Sequence, residues 1–124
     1  MILIDYQNRK PIYEQIVDRF QLLILNGVMQ PGDQMPSVRK LAMDLSINPN
    51  TIQKAYSMLE EQGYIYPVKG RGNFVSQVGT LKKEKEEKYW KDFFAMVDQG
   101  REIGISEEKF TSKLEEYWKE GKND

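Results

Sequence analysis

Three groups of residues in this chain carry chemistry that folding alone does not require. Asn50, Gln53, Lys54 and Ser57 recur on the side of a helical repeat opposite Ile52, Ala55, Tyr56 and Leu59, with Thr51 at the flank. Every member of that polar row donates or accepts hydrogen bonds, and a helix so equipped can read base edges in a major groove. Lys69 and Arg71 stand in Lys-Gly-Arg-Gly, where small neighbours let cations approach a phosphate backbone closely. The third group is aromatic: Trp90, Phe93, Phe94 and Val97 at helical spacing, then Phe110, Leu114, Tyr117 and Trp118. Two short helices cannot hide that much large apolar surface alone, so burial against another surface is expected.

The elements that must position these groups can be read from periodicity and caps. Val38, Leu41, Ala42 and Leu45 repeat at i, i+3, i+4 and i+7, as do Ile52, Ala55, Tyr56 and Leu59. Ser37 suits the cap of the first helix, and Asn48 that of the second, with Pro49 at its first position where a missing N–H is harmless. Two helices joined by so short a connection form a helix-turn-helix. Upstream, Ile12, Ile16, Phe20, Leu23 and Ile24 make one stripe of a helix from Pro11 to Asn26, with Gly27 to end it and Gln30-Pro-Gly-Asp33 as the following turn. Downstream, the run from Tyr64 to Ser76 reads as a hairpin around Gly70-Arg71-Gly72, with Pro67 on an edge strand. A hairpin directly after a recognition helix is a wing. Beyond it the mixed charges of Leu81 to Lys88 pass into the aromatic helix, which Gly100 is expected to terminate, and Ser106 caps a last helix onto which Ile105 staples Phe110.

Composition narrows the function classes. The chain of 124 residues has neither cysteine nor histidine, which removes thiolate and imidazole metal sites, cysteine nucleophiles, histidine bases and disulfides together. Glu84, Glu86 and Glu87 are better read as solvated charges of a mixed-charge helix than as a metal cluster. No phosphate loop or nucleophile elbow occurs, so neither enzyme chemistry nor a cofactor is expected. The formal net charge is −1, yet between Pro36 and Ser76 five cations face three carboxylates, a local balance of +2. No segment approaches a membrane span, and the start Met-Ile-Leu-Ile-Asp lacks a secretion signal's basic flank and apolar core, so a cytoplasmic protein is expected.

Pro11-Ile-Tyr-Glu-Gln-Ile16, Pro31-Gly-Asp33, Pro36-Ser-Val-Arg-Lys-Leu-Ala42, Asn48-Pro-Asn-Thr-Ile-Gln-Lys-Ala-Tyr56, Leu59-Glu-Glu-Gln-Gly63 and Gly70-Arg-Gly-Asn-Phe-Val75 resemble, in order and spacing, the winged-helix pattern of the GntR family of bacterial transcription regulators. Within that family the chain is similar to the small YtrA type. The resemblance implies a homodimer on a near-palindromic operator, a two-helix extension in place of a large effector domain, and control of genes such as those for membrane transporters. It places Arg39 on the first helix of the motif against DNA, Asn48, Asn50, Thr51, Gln53 and Lys54 at contact positions around the start of the recognition helix, and Gly70 in the turn of the wing. Ser46 stands where such motifs often carry glycine, and Pro49 and Gln53 stand where other members often carry basic residues.

The expected fold is mainly α with a small β-hairpin wing (α+β), in which residues 1–78 form a winged helix-turn-helix DNA-binding domain and residues 79–124 a C-terminal helical dimerisation region. The expected function is a sequence-specific regulator, a repressor, contacting double-stranded DNA through Arg39, Asn48, Asn50, Thr51, Gln53, Lys54, Lys69, Gly70 and Arg71. Trp90, Phe93, Phe94, Val97, Phe110, Leu114, Tyr117 and Trp118 are the expected dimer contacts. An aromatic pocket for an unidentified small-molecule effector is the competing use of that last set. A winged-helix adaptor binding protein or RNA is the competing function.

Overall fold

The computed structural model describes residues 2–122. Five helices and one hairpin follow in the order α1 (Ile12–Leu25), α2 (Val38–Leu45), α3 (Pro49–Glu61), β1 (Ile65–Val68), β2 (Gly72–Val75), α4 (Gly79–Glu102) and α5 (Glu107–Lys122). The chain divides into two units, one ending at Lys82 and the other starting at Lys83.

The first unit, the body, closes a single core from the inward faces of α1, α2, α3 and the hairpin. Ile16, Phe20, Ile52, Ala55 and Leu59 are fully buried, and the same core takes in Leu41, Ala42, Ile65 and Val75. Phe20 meets Tyr56 edge to face at 5.8 Å between ring centroids, the arrangement that opposes the positive edge of one ring to the negative face of the other. The Tyr56 hydroxyl, carried inside with its ring, donates to the Pro36 carbonyl at 2.7 Å. That bond ties α3 to the segment leading into α2, and burial pushes the hydroxyl pKa well above its ordinary value.

Both expected caps form. The Ser37 side chain accepts from the Lys40 N–H, and the Asn48 side chain accepts from the Asn50 N–H at 2.8 Å with Pro49 at the first position of α3. Ser46 closes α2 in the left-handed region at φ 54°. An L-residue meets steric resistance there, which explains the preference for glycine at this point of the motif.

The hairpin pairs Ile65 with Val75 and Val68 with Gly72, antiparallel. It does not stand alone. Gln34 bridges Phe74 from the other side, the Met35 N–H donates to the Asn73 carbonyl, and the Val75 N–H donates to the Asp33 carbonyl. β2 is therefore flanked on both sides and β1 is left on the edge, where Pro67 costs no ladder bond.

In the second unit, the tail, one expectation is corrected. Gly100 does not end α4; it lies inside the helix, which runs on to Glu102 and is stopped by Gly104 at φ 89°. The reason is a contact from α5: a side chain at position 100 would place its Cβ 2.6 Å from Cζ of Phe110. Glycine serves there as a seat for a ring. Ile105 approaches the same spot, and Ser106 caps α5 through the Lys109 N–H, as its place in the sequence predicts.

Candidate nucleic-acid interface

The core face of α3 fixes its opposite face in solvent, because Ile52, Ala55, Tyr56 and Leu59 lock the helix's rotation about its axis. Asn50, Gln53 and Lys54 are exposed and Thr51 is half-buried beside them. Asn48 is also exposed, but its side-chain oxygen is engaged by the cap, leaving the amide nitrogen as the group free to donate outward. The Gln53 amide reaches Ser57 Oγ at 3.3 Å, one turn along. Each of these groups remains able to meet a base or phosphate after the helix is built.

Arg39, on the exposed side of α2, flanks a shallow surface formed with Met43, Ser46, Ile47 and Pro49 at the junction of the two helices. Among the described residues no carboxylate pairs with it, so its charge is directed to solvent. Pairing inside the body is not what holds it.

The wing tip is a tight turn in which the Arg71 N–H donates to the Val68 carbonyl, with Gly70 at φ 77°. Lys69 and Arg71 are exposed on either side of that glycine. The shape of the tip depends on a residue that sequence reasoning missed: Gln34 Nε2 donates to the Arg71 carbonyl at 2.7 Å and lies 3.2 Å from where a Cβ on Gly72 would sit. A second missed residue is Tyr13 of α1, whose ring lies under the Lys54 ammonium at 3.9 Å from nitrogen to ring centroid. Neither carries a sequence signal, since their partners are distant along the chain.

In the tail, the expected contact set splits in two. Phe93, Val97 and Phe110 are half-buried, the last on Gly100. Trp90, Phe94, Leu114, Tyr117 and Trp118 are exposed, with Phe94 at 59% and Trp118 at 64%. Trp90 stacks on Phe94 at 6.0 Å and meets Phe93 edge-on at 5.6 Å, so the α4 stripe is a contiguous aromatic surface. Tyr89, Met96 and Ile103 are also exposed and were not singled out from sequence. At the elbow of α4 and α5, Val97, Ile105 and Phe110 with Arg101 and Thr111 border an open cleft of about 690 Å³, where the effector alternative has room. No helix of the described residues is long and apolar enough to cross a membrane, and among them no cluster of acidic residues is arranged to hold a metal.

Comparison with known proteins places this geometry in context. Residues 12–75 match the bacterial regulatory proteins of the gntR family. The HTH-type transcriptional repressor YtrA of Bacillus subtilis is 49% identical over 77 residues, covering 62% of this chain and 59% of that protein's length. The solved structure of a GntR family transcriptional regulator from Listeria monocytogenes superposes with a TM-score of 0.71 at 34% identity, covering 91% of this chain and 98% of the other. The crystal structure of the AraR DBD in complex with operator ORR3 superposes with a TM-score of 0.53 at 28% identity, covering 60% of this chain and 89% of that one.

Proposed function

Because the chain belongs to the gntR family of bacterial regulatory proteins, DNA-binding transcription regulators rather than enzymes, we propose that it is a cytoplasmic repressor that binds a near-palindromic operator as a homodimer. Residues 1–78 bind DNA and residues 79–124 dimerise. Asn48, Asn50, Thr51, Gln53 and Lys54 meet bases or nearby phosphates in the major groove, Arg39 meets the backbone from α2, and the wing brings Lys69, Gly70 and Arg71 to the backbone or minor groove. Repression follows from occupying a promoter.

The observation that carries this reading is the solvent-facing polar row of α3, held in register by a closed core and placed in the same unit as a braced wing with two cations. The dimer is supported by the aromatic surface that the chain leaves open, since two recognition helices are needed to span a palindrome.

The test separates charge from reading. Fragments of genomic DNA retained by the purified protein give the operator, and binding is then measured against every single-base variant and against random duplex across a salt series. Lys69→Ala is expected to weaken specific and random duplexes alike and to lower the salt slope by about one. Gln53→Ala is expected to keep the slope and to relax one operator position and its symmetry mate by about 1–3 kcal/mol. Binding that ignores salt and sequence would reject the proposal.

A further inference from the structure

We propose that Tyr13 of α1 is a positioning residue for DNA recognition: its ring holds the Lys54 ammonium at the reading face of α3 and so sets how tightly and how selectively that lysine engages DNA. The inference rests on the reading of α3 as the recognition helix.

The contact has three properties that suit it to this task. First, the ring is fixed and the lysine is not. Tyr13 packs half-buried against the core beside Ile16 and Val17, and its hydroxyl donates to Glu14 Oε1 at 3.2 Å, whereas Lys54 is an exposed side chain with four rotatable bonds. The 3.9 Å approach is well inside the range at which a ring face attracts a cation. Second, the ring orients the charge without cancelling it. A carboxylate at the same place would also hold the lysine, but it would neutralise the cation that phosphate or guanine must meet; among the described residues Lys54 has no such ion pair. The ring covers one side of the ammonium while Lys54 as a whole stays exposed. Third, a lysine that rests on the ring loses less rotamer freedom on binding than one free in solvent. Tyr13 touches DNA in none of these roles; it acts through Lys54.

A double-mutant cycle on the genomic fragments retained by the protein tests this. Binding is measured for the full chain, Tyr13→Phe, Tyr13→Leu, Lys54→Ala and the Tyr13→Leu/Lys54→Ala pair, on the retained fragment and its single-base variants, with thermal melts alongside. Tyr13→Phe keeps the ring and is expected to bind like the parent. Tyr13→Leu loses it and is expected to weaken binding about two- to fivefold while flattening preference at the position that Lys54→Ala flattens. In the Lys54→Ala background Tyr13→Leu is expected to add nothing. Where Tyr13→Leu melts below the assay temperature, Tyr13→Met replaces it as an apolar side chain without a π face. The inference is overturned if loss of the ring leaves binding unchanged, tightens it, or weakens it equally with and without Lys54. A Lys54→Ala protein that still reads the operator normally overturns the inference while leaving the DNA-binding reading intact, whereas a parent protein with no preference among duplexes overturns that reading itself.

Discussion

In the body, up to Lys82, Phe20, Ile52 and Leu59 have no exposed surface at all, and α1, α2 and α3 each turn a buried apolar face to one shared core, with Leu22 and Met43 left exposed on the outer sides of α1 and α2. From Lys83 onward Gly100 is the one buried residue among those described, and Tyr117 and Trp118 stand open to solvent on a helix with no buried position. The tail is the more polar region in sequence, with charged residues dense along both of its helices, yet it is the one that leaves its aromatic rings uncovered, so the contrast is one of closure. The body buries a core within the chain, whereas the tail leaves an aromatic surface uncovered, which the proposed dimer would close. Stability should therefore be a property of the body alone, and concentration dependence a property of the tail.

The largest effect should come from breaking the closed side of this contrast. Phe20→Ala removes a fully buried ring in contact with Tyr56 and is expected to cost about 3–5 kcal/mol, read as a lowered denaturant midpoint of the body. Equal stability in this variant would show that the core is not the closed unit described. The open side is broken by Trp118→Asp, which places a charge on the exposed aromatic surface. It is expected to weaken self-association by about thirtyfold or more, the cost of losing a central aromatic contact, while the body melts unchanged. Light scattering against concentration measures it, and an unaltered oligomer would take Trp118 out of the proposed interface. The smallest effect sharpens the body further. Ser46→Gly relieves an L-residue from the left-handed region and is expected to raise stability by about 0.5–1 kcal/mol, net of the extra freedom glycine brings to the unfolded chain. A loss of stability there would mean that the serine hydroxyl contributes more to the turn than its backbone costs.

What could be read in advance divides along the same line of local against distant causes. The helix pair, its caps at Ser37 and Asn48, and the wing were legible because periodicity, capping and turn chemistry act within a few residues. The seat at Gly100 was not, because glycine usually ends a helix and the ring that makes it an interior residue comes from the next one. Gln34 was equally silent: its bond to the wing tip joins residues 37 apart, and a glutamine in a loop carries no mark of its partner. Tyr13 belongs to a stretch that marks a family pattern and the start of a helix, and nothing in it points to a partner on α3. Of the candidate interface, the types of side chain were legible, and the two residues that touch its wing tip and the Lys54 ammonium were not.

The bond from Gln34 is made to the main chain of Arg71, not to its guanidinium. A tip gripped by its backbone keeps its form whatever side chains it displays, so positions 69 and 71 are interchangeable fittings on a permanent bracket. If the wing meets phosphate as proposed, adding or removing a cation there would retune the response to ionic strength without any need to refold the hairpin. On the proposed DNA-binding reading, an engineer wishing to change the strength of binding, and not the sequence preferred, would begin at those two residues and leave the glutamine alone.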